Sequence, residues 1–204
     1  LGRRETQGRT AGYNDQIEVP RSATDRFIGG ARTTQGEVGL TYAIGAVSPG
    51  DAVLLDDGRI ETRVESVDGE TVTATVVSGG ELGSRKGVNV PGVDLGLDVI
   101  TPSDRRDLGV AVEEDADFVA ASFVRDADDV YAVSSAIEDL GGDIPVVAKI
   151  ERADAVDNVE GIVDAAYAVM VARGDLGVEC PLEHVPVAQK RIIHTAQDAA
   201  VPVI

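Results

Sequence analysis

Aromatic residues make up only 3% of this 204-residue chain, and tryptophan is absent. Any core must therefore be packed from Val, Ile, Leu and Ala, which the 43% hydrophobic content supplies. Cys180 is the single cysteine, which excludes an internal disulfide framework and fits a reducing cytoplasm. Apolar runs are short and broken by Gly, Asp or Arg, so none can span a bilayer. No basic-then-apolar leader is visible. The chain opens at Leu1 rather than Met and stops after Val201-Pro202-Val203-Ile204, so the first expectation is a fragment.

Positive charge is the other shortage. Eighteen basic residues face 36 acidic ones, for a net charge of −18, and the only lysines are Lys86, Lys149 and Lys190. Nonspecific nucleic-acid binding needs surplus cationic charge near the phosphates and is excluded as the chain's business. Disorder would also fit strong net charge, but the recurrent Val and Ile oppose it. The composition reads as that of a salt-adapted, halophilic cytoplasmic protein whose self-repulsion is screened by concentrated ions. With lysine nearly stripped out, each one left stands out.

Two textures meet near residue 92. From about Gly36 to Pro91, short β-prone runs alternate with turns such as Asp57-Gly58, Asp68-Gly69 and Ser78-Gly79-Gly80. Ala52–Leu55, Ile60–Val64 and Thr71–Val77 are the runs, and they predict an antiparallel sheet or small barrel. Residues 1–35 show no clear period. From Thr101 onward helix and strand alternate. Thr101-Pro102 predicts a helix start, with Thr as N-cap and Pro in the first turn, running to about Glu114. Helices are also expected over about 126–140, 153–165 and 185–200, with Gly141-Gly142 closing the first of these. Between them lie the apolar strands Asp117–Ser122, Pro145–Lys149 and Tyr167–Val171. Strands apolar on both faces and separated by helices belong to a covered parallel sheet. A doubly wound open sheet and a closed α/β barrel both satisfy that pattern. No Gly-rich phosphate loop follows any strand, which disfavours dinucleotide and Walker-type sites.

Polar residues gather where the strands end: Ser122-Phe123-Val124-Arg125, Lys149-Ile150-Glu151 and Ala172-Arg173-Gly174-Asp175. Barrel enzymes carry their chemistry at such strand ends. In an extended backbone, residues two apart point the same way, so Lys149 and Glu151 project together. They make either a catalytic pair or a structural salt bridge. Ala172–Gly177 is either an ordinary turn or, through its glycines, a backbone cradle for an anion such as a carboxylate. Glu151 and Asp175 together suit Mg²⁺, which takes one or two carboxylates and keeps its waters. A lysine beside such an ion would neutralise a phosphoryl group in transfer. Cys180 reads as a packing residue, Met170 as core, and His184 and His194 as surface or helix positions. The acidic run from Asp126 to Asp129 reads as a helix N-terminal turn.

Several longer motifs occur in a familiar order: Leu55-Asp56-Asp57-Gly58, the run from Gly79 to Gly92, Ser122-Phe123-Val124-Arg125, Ala148-Lys149-Ile150-Glu151, the run from Met170 to Glu179, and Val187-Ala188-Gln189-Lys190. In these the chain resembles the pyruvate kinase family, over roughly residues 50–204. The resemblance implies phosphoryl transfer from phosphoenolpyruvate to ADP, giving pyruvate and ATP in glycolysis. It implies an α/β fold: a partial (β/α)8 TIM-type barrel with an inserted small antiparallel β-barrel domain. Residues 1–12 would be a remnant of the third barrel strand, 13–91 the inserted lid, and 92–204 about strands four to six and the start of the seventh. Lys149 would be the catalytic, substrate-contacting cation, Glu151 and Asp175 the Mg²⁺ (or Mn²⁺) ligands, and Gly174 and Asp175 the substrate-carboxylate site. Lys86 and Arg9 would contact the nucleotide. Tyr167-Ala168 replaces the usual Asp-Gly and reads as a tolerated core change. Potassium is expected from the family, but its ligands are not recognisable in this chain. The family implies a homotetramer, no membrane and no nucleic-acid partner. The rival is a Mg²⁺-dependent lyase or aldolase acting on pyruvate or phosphoenolpyruvate on a similar barrel; a third reading is a noncatalytic remnant. These 204 residues alone are expected to be inactive.

The charge excess yields a first prediction. Screening should stabilise the fold as salt rises into the molar range. Melting temperatures measured in increasing KCl should climb; a flat or falling series would contradict salt adaptation.

Overall fold

The computed structural model describes residues 10–11, 16–20, 35–37, 44–69, 71–82 and 86–204. Two compact units divide the chain: residues 3–97, and residues 98–204 together with 1–2. The division falls between Leu97 and Asp98, a little beyond the change of texture near residue 92.

The first unit is built of strands: β1 (Thr10–Ala11), β2 (Gln16–Pro20), β3 (Gln35–Glu37), β4 (Ala52–Leu55), β5 (Ile60–Asp68), β6 (Thr71–Ser78), β7 (Gly80–Glu81) and β8 (Val88–Asn89). Six of them form one sheet in the order β3-β2-β6-β5-β4-β8, and β1 pairs with β7. Pairing is antiparallel, as the tight turns predict, except between β2 and β3, which run parallel. Alternation decides which face is buried: Val53 and Leu55, Ile60 and Val64, Val72 and Val76 point inward into one cluster with Ile44 and Val90. Thr62 also points inward, and its hydroxyl is satisfied by donating to the Val53 carbonyl at 2.8 Å. Asp57 (φ +56°) and Gly58 (φ +80°) sit at the centre of the β4–β5 turn, which the Arg59 N–H closes onto the Asp56 carbonyl. Positive φ at both central positions matches strand twist, the reason Asp-Gly marks such turns.

The second unit alternates helices and strands: α1 (Pro102–Glu113), β9 (Val119–Ala121), α2 (Ala127–Asp139), β10 (Val146–Ile150), α3 (Ala153–Asp157), α4 (Val159–Ala165), β11 (Ala168–Val171), α5 (Arg173–Glu179) and α6 (Val185–Asp198). The strands lie in the order β11-β10-β9, all parallel, and Val203 adds a parallel bridge to Val169. The fold is α/β. Helix apolar faces bury against the sheet in one core that includes Leu108, Ile137, Ile150, Ile162, Val169 and Ile192.

The caps that fix these elements are the ones the sequence marks. Thr101 accepts from the Asp104 N–H while the Asp104 carboxylate accepts from the Thr101 N–H at 2.9 Å, a reciprocal capping box. Asp126 caps α2 by accepting from the Asp129 N–H at 3.1 Å. At the far end of α2 the Gly142 N–H donates to Ile137 O and the Gly141 N–H to Glu138 O, with Gly141 at φ +83°. That is a Schellman stop, which needs a left-handed residue.

Two expectations are corrected. The single helix expected over 153–165 is two, α3 and α4, broken at Asn158, whose side-chain amide donates to the Arg125 carbonyl instead of lying idle on a helix. The stretch after Ala172, expected as a turn, is the helix α5. Its two glycines argue against helix, but the burial of Leu176 and Glu179 outweighs local propensity.

Gly142 has no room for a side chain: a Cβ there would stand 2.6 Å from a Val112 methyl and 3.2 Å from an Ile137 methyl. Gly142→Ala should therefore destabilise the protein by about 1–3 kcal/mol through overpacking. An unchanged urea midpoint would show that α1 yields freely at this contact.

Candidate active site

The three parallel strands deliver their polar residues to one edge. Lys149 is the one half-open position on β10, in register with Met170 of β11, and Glu151 follows directly after the strand. Two residues apart on extended backbone, they lie side by side, and Lys149 Nζ forms an ion pair with Glu151 Oε1. The Lys149 side chain keeps 24% of its surface exposed, whereas Glu151 keeps 1%. Lysine reaches solvent; glutamate does not.

The loop after β9 supplies the rest of the grip. Ser122 Oγ accepts from Lys149 Nζ at 2.9 Å, and the Phe123 N–H donates to Glu151 Oε2 at 2.7 Å. Phe123 stands at φ +57°, a left-handed conformation costing about 1–2 kcal/mol for a non-glycine residue. The residue stays 42% exposed, so burial does not account for the strain. A hydrogen bond to a charged group contributes about 1.5–3 kcal/mol, enough to hold the residue there.

Glu151 sits in tension. Burial pushes its carboxyl up from the ordinary range and the nearby Asp175 carboxylate pushes it further, while Lys149 and the Phe123 N–H pull it down; the net direction is up. Asp175 lies in the first turn of α5 and is half-buried. Gly174 precedes it, and a Cβ built there would meet nothing within 4 Å, so the space over this turn is open. Among the described residues no cluster of three or more His, Cys, Asp or Glu side chains converges on a point. Glu151 and Asp175 are a pair, not a cage.

Neighbouring charges are structural. Arg125 makes a forked contact with Asp129, at 2.8 Å from both Nε and Nη2, which ties the loop after β9 to the first turn of α2. Arg152 pairs with Asp154; that contact raises its pKa against the opposing effect of burial. The Cys180 thiol donates to the Leu176 carbonyl at 3.0 Å, and burial, then Glu179, pushes its pKa up, so it stays a protonated packing group. His184 and His194 are exposed. Met170 is half-buried rather than fully in the core. Tyr167 is no core replacement: it is 54% exposed and rests its ring on Phe118, with centroids 5.5 Å apart.

In the strand-built unit, Lys86 Nζ lies 2.9 Å from Oδ1 of Asp56, a buried carboxylate at φ +53°. Arg59 approaches the same carboxylate at 3.6 Å. Arg9 lies outside the described residues. Ser122, Phe123 and Asp56 are the partners that spacing along the sequence does not reveal. Each acts across strands or through its backbone.

The known proteins that this chain is similar to share one family. The family model described as pyruvate kinase, barrel domain, matches residues 12–204. A pyruvate kinase of Mycobacterium tuberculosis is 41% identical over 219 residues, covering 98% of this chain and 46% of that protein. One from Corynebacterium glutamicum is 40% identical, with 98% and 46% covered. One from Clostridium acetobutylicum is 42% identical over 159 residues, with 78% and 34% covered. The chain thus spans about half the length, or less, of the curated relatives it matches. With the family model covering nearly the whole chain and identity near 40% over almost all of it, this chain belongs to the pyruvate kinase family.

Proposed function

We propose that these residues form part of an enzyme that transfers the phosphoryl group of phosphoenolpyruvate to ADP, giving ATP and pyruvate. In that reaction the bond from phosphorus to the enol oxygen breaks, a bond to the terminal ADP oxygen forms, and the enolate takes a proton. The observation that carries the reading is the gripped Lys149–Glu151 pair with Asp175 beside it. Such transfers depend almost wholly on positioning and electrostatic stabilisation, and this edge offers both. The lyase or aldolase alternative is not favoured, because the matching relatives are consistently pyruvate kinases. A noncatalytic role has no specific observation behind it.

The donor set fits a divalent cation. The Glu151 carboxyl is pushed up by burial first and by the Asp175 carboxylate last, and added positive charge between the two would oppose both effects. Mg²⁺ needs few protein oxygens and would be held by Glu151 and Asp175, with Mn²⁺ as its usual substitute. When bound, the ion supplies positive charge that polarises phosphoryl and carboxylate oxygens of the substrate. Lys149 holds the transferring group electrostatically. Gly174 and Asp175 receive the substrate carboxylate in the first turn of α5, where backbone N–H groups have no acceptor inside the helix. Lys86, steadied by Asp56, contacts nucleotide phosphate, and Arg9 assists it. Potassium belongs to the proposed family chemistry without assigned ligands here.

Around this site we place a TIM-type barrel, with residues 92–204 supplying about strands four to six and the start of the seventh. Residues 13–91 form a β-barrel lid inserted after the third strand, whose remnant is 1–12. Among the described residues no helix is long and apolar enough to cross a membrane; a cytoplasmic, salt-adapted homotetramer is the proposed setting. The 204 residues by themselves should not turn over, since a three-stranded parallel sheet leaves edges that a closed barrel covers.

Lys149→Met in the full-length protein should lower phosphoryl transfer by about two to three orders of magnitude while leaving Mn²⁺ affinity largely intact. Near-normal turnover in that variant would remove Lys149 from the chemistry.

A further inference from the structure

We infer that Ser122 is a positioning residue that aims the Lys149 ammonium at the transferring group and keeps it from closing fully onto Glu151. The inference rests on the phosphoryl-transfer reading above and deepens it.

A lysine ammonium carries three N–H donors and no acceptor. One is directed at Glu151 Oε1 and one at Ser122 Oγ, 2.9 Å away. The third has no acceptor among the described residues, and it is the one left for an anion. The two protein contacts come from different strands. Glu151 follows β10, the strand of Lys149 itself, whereas Ser122 follows β9, the parallel neighbour in which Ala121 faces Ala148. An ammonium held by Glu151 alone would rotate about its long stem to spend as many donors as it could on that carboxylate. Two consequences would follow: its charge would be neutralised where a phosphoryl group needs it, and Glu151 would lose lone pairs to the ammonium. A second acceptor on the adjoining strand fixes a direction instead. Arg125 and Asn158 hold the loop that bears Ser122, so the acceptor itself does not wander.

The neighbouring residue makes the arrangement reciprocal. Ser122 takes the ammonium while the Phe123 N–H takes the other carboxylate oxygen, Oε2. Two consecutive residues therefore hold both halves of the ion pair from one side. Phe123 itself stands at φ +57°, so the chain turns away directly after the N–H that holds Glu151.

Steady-state kinetics of the full-length protein test this with Ser122→Ala, Ser122→Thr and Ser122→Val. Threonine keeps the hydroxyl and valine matches its shape without one. Ser122→Ala and Ser122→Val should each lose roughly tenfold to a hundredfold in kcat, with KM for phosphoenolpyruvate held within about twofold. Ser122→Thr should recover most of that loss. A merely structural serine would leave Thr and Val alike, or would move KM and kcat together. Either result, or a wild-type kcat in Ser122→Ala, overturns the inference. Lys149→Met assayed beside them separates the two layers. If it is inactive while the Ser122 variants are normal, only the role of Ser122 fails; if it is fully active, Lys149 leaves the chemistry and the inference falls with it. A wild-type protein that does not turn over phosphoenolpyruvate and ADP at all would overturn the phosphoryl-transfer reading itself.

Discussion

A nearly inaccessible carboxylate beside an ammonium is the constraint around which the α/β unit arranges its polar edge. Taking Glu151 out of water costs several kcal/mol, and the partners that offset this must be held in place by the fold. Lys149 contributes charge and the Phe123 N–H contributes a charge-assisted hydrogen bond. Asp175 works against them, pushing the Glu151 carboxyl further up. A buried carboxylate whose charge a second carboxylate opposes is unfavourable as pure architecture, and a cation held by both, as proposed above, would relieve it. Structure and chemistry meet at that imbalance.

The supports for the pair reach back through the unit. The loop after β9 must hold a strained Phe123, and it is tied down twice: Arg125 forks onto Asp129 in α2, and the Arg125 carbonyl accepts from Asn158 at the break between α3 and α4. Helix α2 is in turn ended sharply by Gly141 and pressed against α1 at Gly142. Residues that look alike as polar groups at strand ends thus divide by task. Lys149 keeps a solvent-facing side with Ser122 and the buried Glu151 behind it, while Arg125, Asp129, Arg152 and Asp154 neutralise one another to keep loops in shape.

What the sequence made legible follows from how local each cause is. Thr101-Pro102, Asp126 and Gly141 act within one turn of chain, and the helices begin and end where those residues place them. Period-two spacing sufficed to bring Lys149 and Glu151 together. Helix α5 was not legible, because Gly174 and Gly177 signal a turn and only the burial of Leu176 and Glu179 against distant residues makes a helix there. Asn158 as a break needs the Arg125 carbonyl, thirty-three positions away in sequence. Ser122 as a partner of Lys149 depends on the register between two strands, which no single strand's spacing contains. Tyr167 lies on the surface with its ring 5.5 Å from that of Phe118, a contact between residues forty-nine positions apart that spacing along the sequence does not contain.

The central claim is that Glu151 and Asp175 share one divalent cation. Titration of the full-length protein with Mn²⁺, followed by the loss of the free-ion electron paramagnetic resonance signal, tests it most directly. Glu151→Gln and Asp175→Asn should each weaken binding by roughly tenfold to a hundredfold, as expected when a coordinating oxygen or its orientation is lost. Affinity unchanged in both variants would contradict the claim.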